Sequence, residues 1–357
     1  MRQMVTFGFF KKLSSALIFT ALFIQPALAS PPHEPLPPPF EERLPQEYKN
    51  QKARFWTFTL ENDLFGSGND QNYTNGTRLT YHKVGEEPPF LAKWLGDALP
   101  TFKVNKSTTV YYALGQNLYT PEDITRPNPD PADRPYAAFL YGSAGFSSIN
   151  GNHIDDLEFT LGVVGPMALG EEVQSTVHSV VDSDDPKGWG FQLDNEPGLM
   201  LSWQRLWPEA LGTDLGLFYF RVIPYLGATA GNIYTYGAGG VTLQLTPGYN
   251  KWQSQPLRVR PAIPGSGYFH PPEKALSWSL FVGTEGRAVG RNIFLDGNSF
   301  ESSRSVNKKH FVADVSGGVS LTYGRMNASY TLNWRSKEFD GQDEGSLFGA
   351  ISVGWRF

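Results

Sequence analysis

From Arg54 to its end the chain alternates apolar and polar residues with a period of two, the pattern of strands with one buried or lipid-facing side. The last stretch, Ser346–Phe357, is the clearest. Leu347, Gly349, Ile351, Val353, Trp355 and Phe357 occupy one phase, while Ser346, Ser352 and Arg356 fall in the other. This predicts a final strand with a lipid-compatible face that ends on an aromatic residue, as the strands of bacterial outer-membrane proteins do. Similar alternation, broken by turn residues, predicts strands near 54–62, 75–83, 108–119, 136–148, 153–165 and 197–207. It continues near 213–226, 231–246, 275–295, 308–323 and 324–336, for twelve strands in all. An even number is what single-chain outer-membrane barrels use.

The expected fold is therefore all-β: a transmembrane antiparallel β-barrel of about twelve strands over residues 54–357. A periplasmic β-sandwich is the soluble alternative, but no strand reads as apolar on both faces. In the first strand Trp56, Phe58 and Leu60 share the outer face, which turns Thr57, Thr59, Glu61 and Asp63 inward. In the second, Thr77, Leu79 and Tyr81 face out, and Thr74, Arg78, Thr80 and His82 face in. Asp63 and Thr74 then lie close together across a Gly-Ser-Gly-Asn-Asp loop. Such lumen residues often form nothing more than a solvated polar lining.

One segment breaks the alternation. Gly165–Asp185 reads as a helix, with Gly170 able to cap it and Glu171 and Glu172 complementing its N-terminal dipole. Val173, Val177, Val180 and Val181 form an apolar stripe expected to pack on the rim or mouth of the barrel. Gln174 and His178, four residues apart, lie beside that stripe. Asp182, Asp184 and Asp185 follow directly.

Composition agrees with a barrel. Only 40% of the 357 residues are hydrophobic, yet 14% are aromatic and 37 are glycine. The mean hydropathy is −0.33. That combination suits strands in which alternate residues meet lipid and aromatic girdles mark the interfaces. The net charge of −5 offers no basic footprint for nucleic acid. The absence of cysteine excludes thiol catalysis and fits an oxidising compartment.

The N-terminus supplies the address. Lys11 and Lys12 precede an apolar run from Leu13 to Ile24 and then Ala27-Leu28-Ala29, the layout of a signal peptide cleaved after Ala29. The Pro-rich stretch that follows, residues 30–53, reads as an extended periplasmic leader.

Candidate chemistry centres on His178. A histidine beside a carboxylate can act as general base toward water. Carboxylates such as Asp63 and Asp184 could hold a hard cation like Ca²⁺, which polarises an ester carbonyl. From spacing alone this signal is weak, since an Asp-rich turn after a helix is usually just solvated. His33 lies in the leader, and His153, His270 and His310 stand alone at strand or loop edges. No HExxH, P-loop, GxSxG or CxxC arrangement occurs, so zinc protease, NTPase and α/β-hydrolase chemistry have no support.

Several motifs in register resemble the outer-membrane lipid A 3'-O-deacylase family. They are Glu61-Asn62-Asp63, Asn72-Tyr73-Thr74-Asn75-Gly76, Gln116-Asn117-Leu118-Tyr119-Thr120-Pro121 and Asp133-Arg134-Pro135-Tyr136-Ala137-Ala138-Phe139-Leu140-Tyr141. Gly165-Pro166, Gly170-Glu171-Glu172-Val173-Gln174, His178 and Gly231-Asn232 continue the match. The resemblance covers nearly the whole mature chain. It implies a twelve-stranded barrel with its site between the wall and a short helix at the outer-leaflet side. It also implies Ca²⁺-dependent hydrolysis of the 3'-linked acyloxyacyl group of lipid A. By this resemblance His178 activates water, Asn62 and Thr74 belong to the catalytic set, and Asp63 with Asp184 (or Asp185) binds calcium. Arg126 and Gln116 fall on the substrate side, and lipopolysaccharide, outer-membrane lipids and a monomeric state are expected.

Two departures bear on substrate. Arg126-Pro127 stands where the family has an adjacent Lys-Arg pair, and Pro186-Lys187 stands where an aromatic is expected. A non-enzymatic pore or structural barrel, or an outer-membrane phospholipase with a serine nucleophile, are the competing readings. The serines nearest His178 are Ser175 and Ser179, which read as helix-surface residues.

Overall fold

The computed structural model describes residues 38–43, 52–66, 72–85, 88–90, 93–94, 102–181, 183–249 and 276–357. The signal peptide expected over 1–29, most of the leader, and Asp182 lie outside the described residues. The strands are β1 (Ala53–Asn62), β2 (Asn72–Val84), β3 (Thr109–Thr120), β4 (Ala137–Asn150), β5 (His153–Val164) and β6 (Glu196–Leu206). They continue as β7 (Leu211–Asp214), β8 (Phe218–Gly231), β9 (Tyr234–Pro247), β10 (Leu276–Asn292), β11 (Phe311–Tyr323), β12 (Met326–Arg335) and β13 (Ser346–Arg356). Helices described are α1 (Phe40–Arg43), α2 (Gly170–Val181) and α3 (Ile293–Asp296).

All the strand pairs are antiparallel, and each strand of the ring lies beside its sequence neighbours. The ring closes where β1 meets β13, with Asn62 opposite Gly349 and Phe55 opposite Arg356. Phe357 donates its backbone N–H to Arg54 O at 3.0 Å across the same seam. β6 pairs with β8, and the short β7 continues the edge of β6 along the first residues of β8. β6 and β7 together therefore form one interrupted stave, and the barrel has twelve. The alternation read as a single strand over 213–226 contains a hairpin. Gly216 adopts φ +81°, and Leu215 N bonds Phe218 O at 2.8 Å, so the chain reverses before β8 begins.

Alternation sorts the side chains as expected. Trp355, Trp56, Tyr81 and Tyr112 sit opposite one another on β13, β1, β2 and β3, an outward aromatic row toward the end that holds the strand termini Ala53 and Arg356. We call this the terminal end, and the opposite one the loop end. α1 is at the terminal end, where Glu41 N bonds Gly151 O at 2.8 Å, so the leader expected to be extended contains a helical turn.

Inside, Arg78 and Glu158 form a fully buried two-pronged ion pair at 3.1 and 2.7 Å. Toward the loop end Arg335 bonds Asp314 at 3.1 and 3.3 Å, and Arg287 bonds the same carboxylate at 3.0 Å. Above them the lumen is filled with aromatic side chains. α3 turns inward after Asn292, whose side chain caps Phe294 N at 3.1 Å. Phe294 stacks on Tyr119 with ring centres 4.1 Å apart, within a cluster that includes Tyr73, Phe139, Tyr234 and Phe348. The strand expected to run to residue 295 thus stops at Asn292, because Ile293, Phe294 and Leu295 are more stably buried in the lumen than exposed on a strand.

Candidate active site

The outer wall at the loop end is where the helix sits. After β5 the chain turns at Gly165, at φ +95°, where a Cβ would stand 2.6 Å from the Asp194 carbonyl. No other residue fits that position without strain. A 3-10 turn over Pro166–Ala168 follows, and Leu169 at φ 57° re-aims the chain into α2. Gln116 on β3 donates its Nε2 amide to Ala168 O at 2.6 Å and so ties this turn to the wall.

The helix packs against β4. Gly170 is its first residue and serves close approach rather than capping: a Cβ there would meet the Trp189 ring at 2.5 Å and Ala138 Cβ at 2.6 Å. The buried face is not the valine stripe. Gln174 and His178 are 2% and 5% exposed, whereas Val177 and Val180 are exposed by 42% and 78%. Of the described stripe residues, Val173 leans on the apolar cluster of Leu118, Ile124, Tyr136, Ala138, Ala168 and Trp189 beneath the helix. The expected orientation is therefore rotated, and the reason is polar. The buried Trp189 N–H needs an acceptor and finds Gln174 Oε1 at 2.8 Å. His178 Nδ1 lies 2.5 Å from the carbonyl oxygen of Asp184. A carbonyl only accepts, so Nδ1 is the protonated nitrogen and Nε2 is the basic one in the neutral ring.

The sequence-predicted residues gather around this wall. Asn62, Asn75, Leu118 and Ala138 sit opposite one another on β1 to β4 in one row. With strands about 4.8 Å apart, Asn62 stands roughly 14 Å along the row from the helix's landing point at Ala138. Asn62 Oδ1 accepts from Leu64 N at 2.8 Å and caps a 3-10 turn over Asp63–Phe65. Asp63 is buried in that turn, which packs on β2 and β13.

Thr74 needs a correction. Strict alternation turned it into the lumen, but the register shifts between Tyr73 and Asn75. Tyr73 keeps the inward position, and the Thr74 hydroxyl instead meets that of Thr120 at 2.6 Å. Thr120 shares the outward phase of Gln116 and Leu118, so the bulge delivers Thr74 to the outer wall.

Other residues lie farther out. Arg126 is half exposed on the β3–β4 loop, 3.6 Å from Asp130. Asp184 is exposed and engages His178 through its backbone, not its carboxylate. Lys187 N donates to Ile124 O at 2.9 Å, which joins the segment after α2 to the loop that carries Arg126. Among the described residues, no group of three or more His, Asp or Glu side chains could cage a metal ion. The donor chemistry at the strand ends is nonetheless that of a hard cation: the Asp63 carboxylate, hydroxyls and carboxamide oxygens. The sequence reading missed Trp189 and Thr120. The Gly188-Trp189-Gly190 triplet just after the helix was the available signal, since a glycine-flanked indole can pack closely and its N–H must be satisfied.

The family model for outer membrane protein LpxR matches residues 16–357. Among solved structures, LpxR from Salmonella typhimurium superposes with a TM-score of 0.68 at 21% identity, covering 84% of this chain and 99% of that one. The β-domain of the Bordetella autotransporter BrkA gives 0.37 at 10% identity, covering 85% and 98%. The translocator domain of NalP from Neisseria meningitidis gives 0.36 at 11%, covering 86% and 89%. No curated protein sequence matches. The protein is thus an outer-membrane barrel, and the chain belongs to the LpxR outer membrane protein family, the lipid A deacylases that its motifs resemble.

Proposed function

We propose that this lipid A deacylase removes the 3'-linked acyloxyacyl group by hydrolysis, with His178 as the base that activates water. The observation that carries the reading is the bond from His178 Nδ1–H to Asp184 O on the buried face of α2. It fixes one tautomer and leaves Nε2 as the proton acceptor. Nε2 takes a proton as water adds to the ester carbonyl. The tetrahedral intermediate then expels the sugar oxygen, which His178 reprotonates, leaving a free 3'-hydroxyl and the released acid.

In this reading Asn62 and Thr74 orient the ester on the outer wall. Asp63 and Asp184 would hold Ca²⁺, which when bound supplies positive charge to the carbonyl oxygen. Gln116 acts on the substrate side by holding the Pro166–Ala168 turn, and Arg126 meets the anionic sugar region. The loop end faces the outer leaflet, where lipopolysaccharide resides. Export by a signal peptide cleaved after Ala29, a leader over residues 30–53, and a monomer complete the proposal.

Mass spectrometry of lipid A from a host expressing the chain tests it. We expect loss of one acyloxyacyl mass, abolished by chelation of Ca²⁺ and by His178→Ala while the barrel still migrates as folded on unheated gels. Unchanged lipid A with wild-type protein correctly assembled in the membrane sinks the reading. Activity that persists in EDTA removes calcium from it.

A further inference from the structure

We propose that Tyr330 is a positioning residue for the reaction: its hydroxyl clamps the 3-10 turn that carries Asp63 onto the outer wall, and so keeps the Asp63 carboxylate where calcium would bind. This rests on the deacylase reading above and adds to it a residue far from the rest of the site in sequence. Tyr330 lies on the outward face of β12, in one row with Ile351 on β13 and Leu60 on β1. Its hydroxyl donates to Phe65 O at 2.8 Å, across 265 residues of chain. A carbonyl only accepts, so the phenol is the donor. The bond crosses the seam of the barrel, because Phe65 ends the turn that follows β1 while Tyr330 belongs to the strand beyond β13.

The turn moves as one unit. Asn62 Oδ1 holds Leu64 N, and Gly66 N closes on Asp63 O at 2.9 Å. Two glycines let that unit lie flat against β13. A Cβ at Gly349 would stand 2.6 Å from Phe65 Cβ and 2.8 Å from Phe65 O, and one at Gly66 would stand 2.7 Å from Phe348 Cα. The Phe65 carbonyl is thus pressed over Gly349, and Tyr330 reaches it from two residues nearer the terminal end. Packing blocks movement of the turn into the wall, and the phenol opposes movement away from it. The contact lies on the outer surface, where a tyrosine keeps its ring among lipid and turns its hydroxyl to a polar partner. A site that is in its binding geometry for only part of the time binds more weakly in that proportion.

Tyr330→Phe removes one oxygen and keeps the ring. Purified wild type and variant are titrated with Ca²⁺, by deacylation of lipid A in mixed micelles and by calorimetry without substrate. Half-saturating Ca²⁺ should rise roughly three- to tenfold in both assays, as one lost hydrogen bond allows, with the rate at saturating Ca²⁺ within about twofold of wild type. A merely structural role would lower the unfolding midpoint and leave the calcium dependence alone. Tyr323→Phe, at an outward tyrosine near the terminal end of β11, controls for loss of an interfacial hydroxyl and should titrate as wild type. Unchanged half-saturation in a folded Tyr330→Phe protein, or an equal shift in Tyr323→Phe, overturns the proposal and leaves the deacylase reading intact. An inactive wild type that still binds Ca²⁺ overturns the deacylase reading, and the calorimetric shift alone then decides whether Tyr330 positions the site. A wild type that binds no Ca²⁺ overturns the calcium role and the proposal together.

Discussion

The two faces of the same wall are polar in different ways. On the lumen side charge meets charge: Arg78 with Glu158, Arg335 and Arg287 with Asp314, Arg134 with Glu338. Burial makes each member depend on its partner, so these groups are committed to the fold. On the outer side at the loop end, three polar groups beside the helix each meet a neutral partner. His178 is set by a backbone carbonyl, Gln174 by an indole N–H, and Gln116 by another carbonyl. Neutral fixing orients a group without neutralising it, which is what a proton acceptor needs. The density of charge is therefore a poor guide to the reacting face, and the sparser outer wall is the better candidate.

The sharpest way to break this comparison is to remove one group from each face. His178→Ala should cost roughly 10²–10⁴-fold in deacylation rate, the range of a lost general base. Its urea-unfolding midpoint in vesicles should stay near that of wild type. Arg78→Met should do the reverse. Stranding the Glu158 carboxylate should destabilise the barrel by about 3–5 kcal/mol, with activity per folded molecule unchanged. Loss of activity in a fully folded Arg78→Met protein would mean that the lumen takes part in the reaction.

Acid offers a milder test at Glu338. Burial opposes its ionisation, but Arg335, Arg134 and Arg287 prevail and hold its carboxyl below the ordinary 4.5. A lowered carboxyl pKa contributes stability above the unfolded value and loses it as pH falls through the folded one. Thermal unfolding of wild type should therefore shift downward as pH drops below about 4.5, and Glu338→Gln should show a shallower dependence. The smallest effect is expected at Arg126. Its half-exposed pair with Asp130 contributes at most about 1 kcal/mol, so Arg126→Ala should leave the unfolding midpoint unmoved. A rise in KM of a few-fold would place it on the substrate side.

The barrel was legible because alternation is a local signal, and each strand carried its own. Long-range partners were not: the inward phase of Arg78 could be read, but not that Glu158, 80 residues away, receives it. Thr74 was misplaced for a related reason, since one bulge residue reverses the phase of everything read from it. The helix itself was visible, but the face on which it packs was read too far toward the valines. The reading assumed that valines seek the protein, a rule for water; beside a lipid leaflet an apolar face loses little by pointing outward. The residues that resolved the orientation, Trp189 and the Asp184 carbonyl, act through geometry that no spacing announces.

The seam between β1 and β13 has a consequence for biogenesis. The first stave waits for the last, so its edge stays open until the final residues of the chain arrive. Closure of so distant a pair is the slow, entropically costly contact of the whole assembly. Substitutions at Ile351 or Val353 should accordingly slow the conversion of an open sheet to a ring more than they weaken the ring once made, and a chain shortened by its last strand should be left with two unsatisfied edges exposed to aggregation.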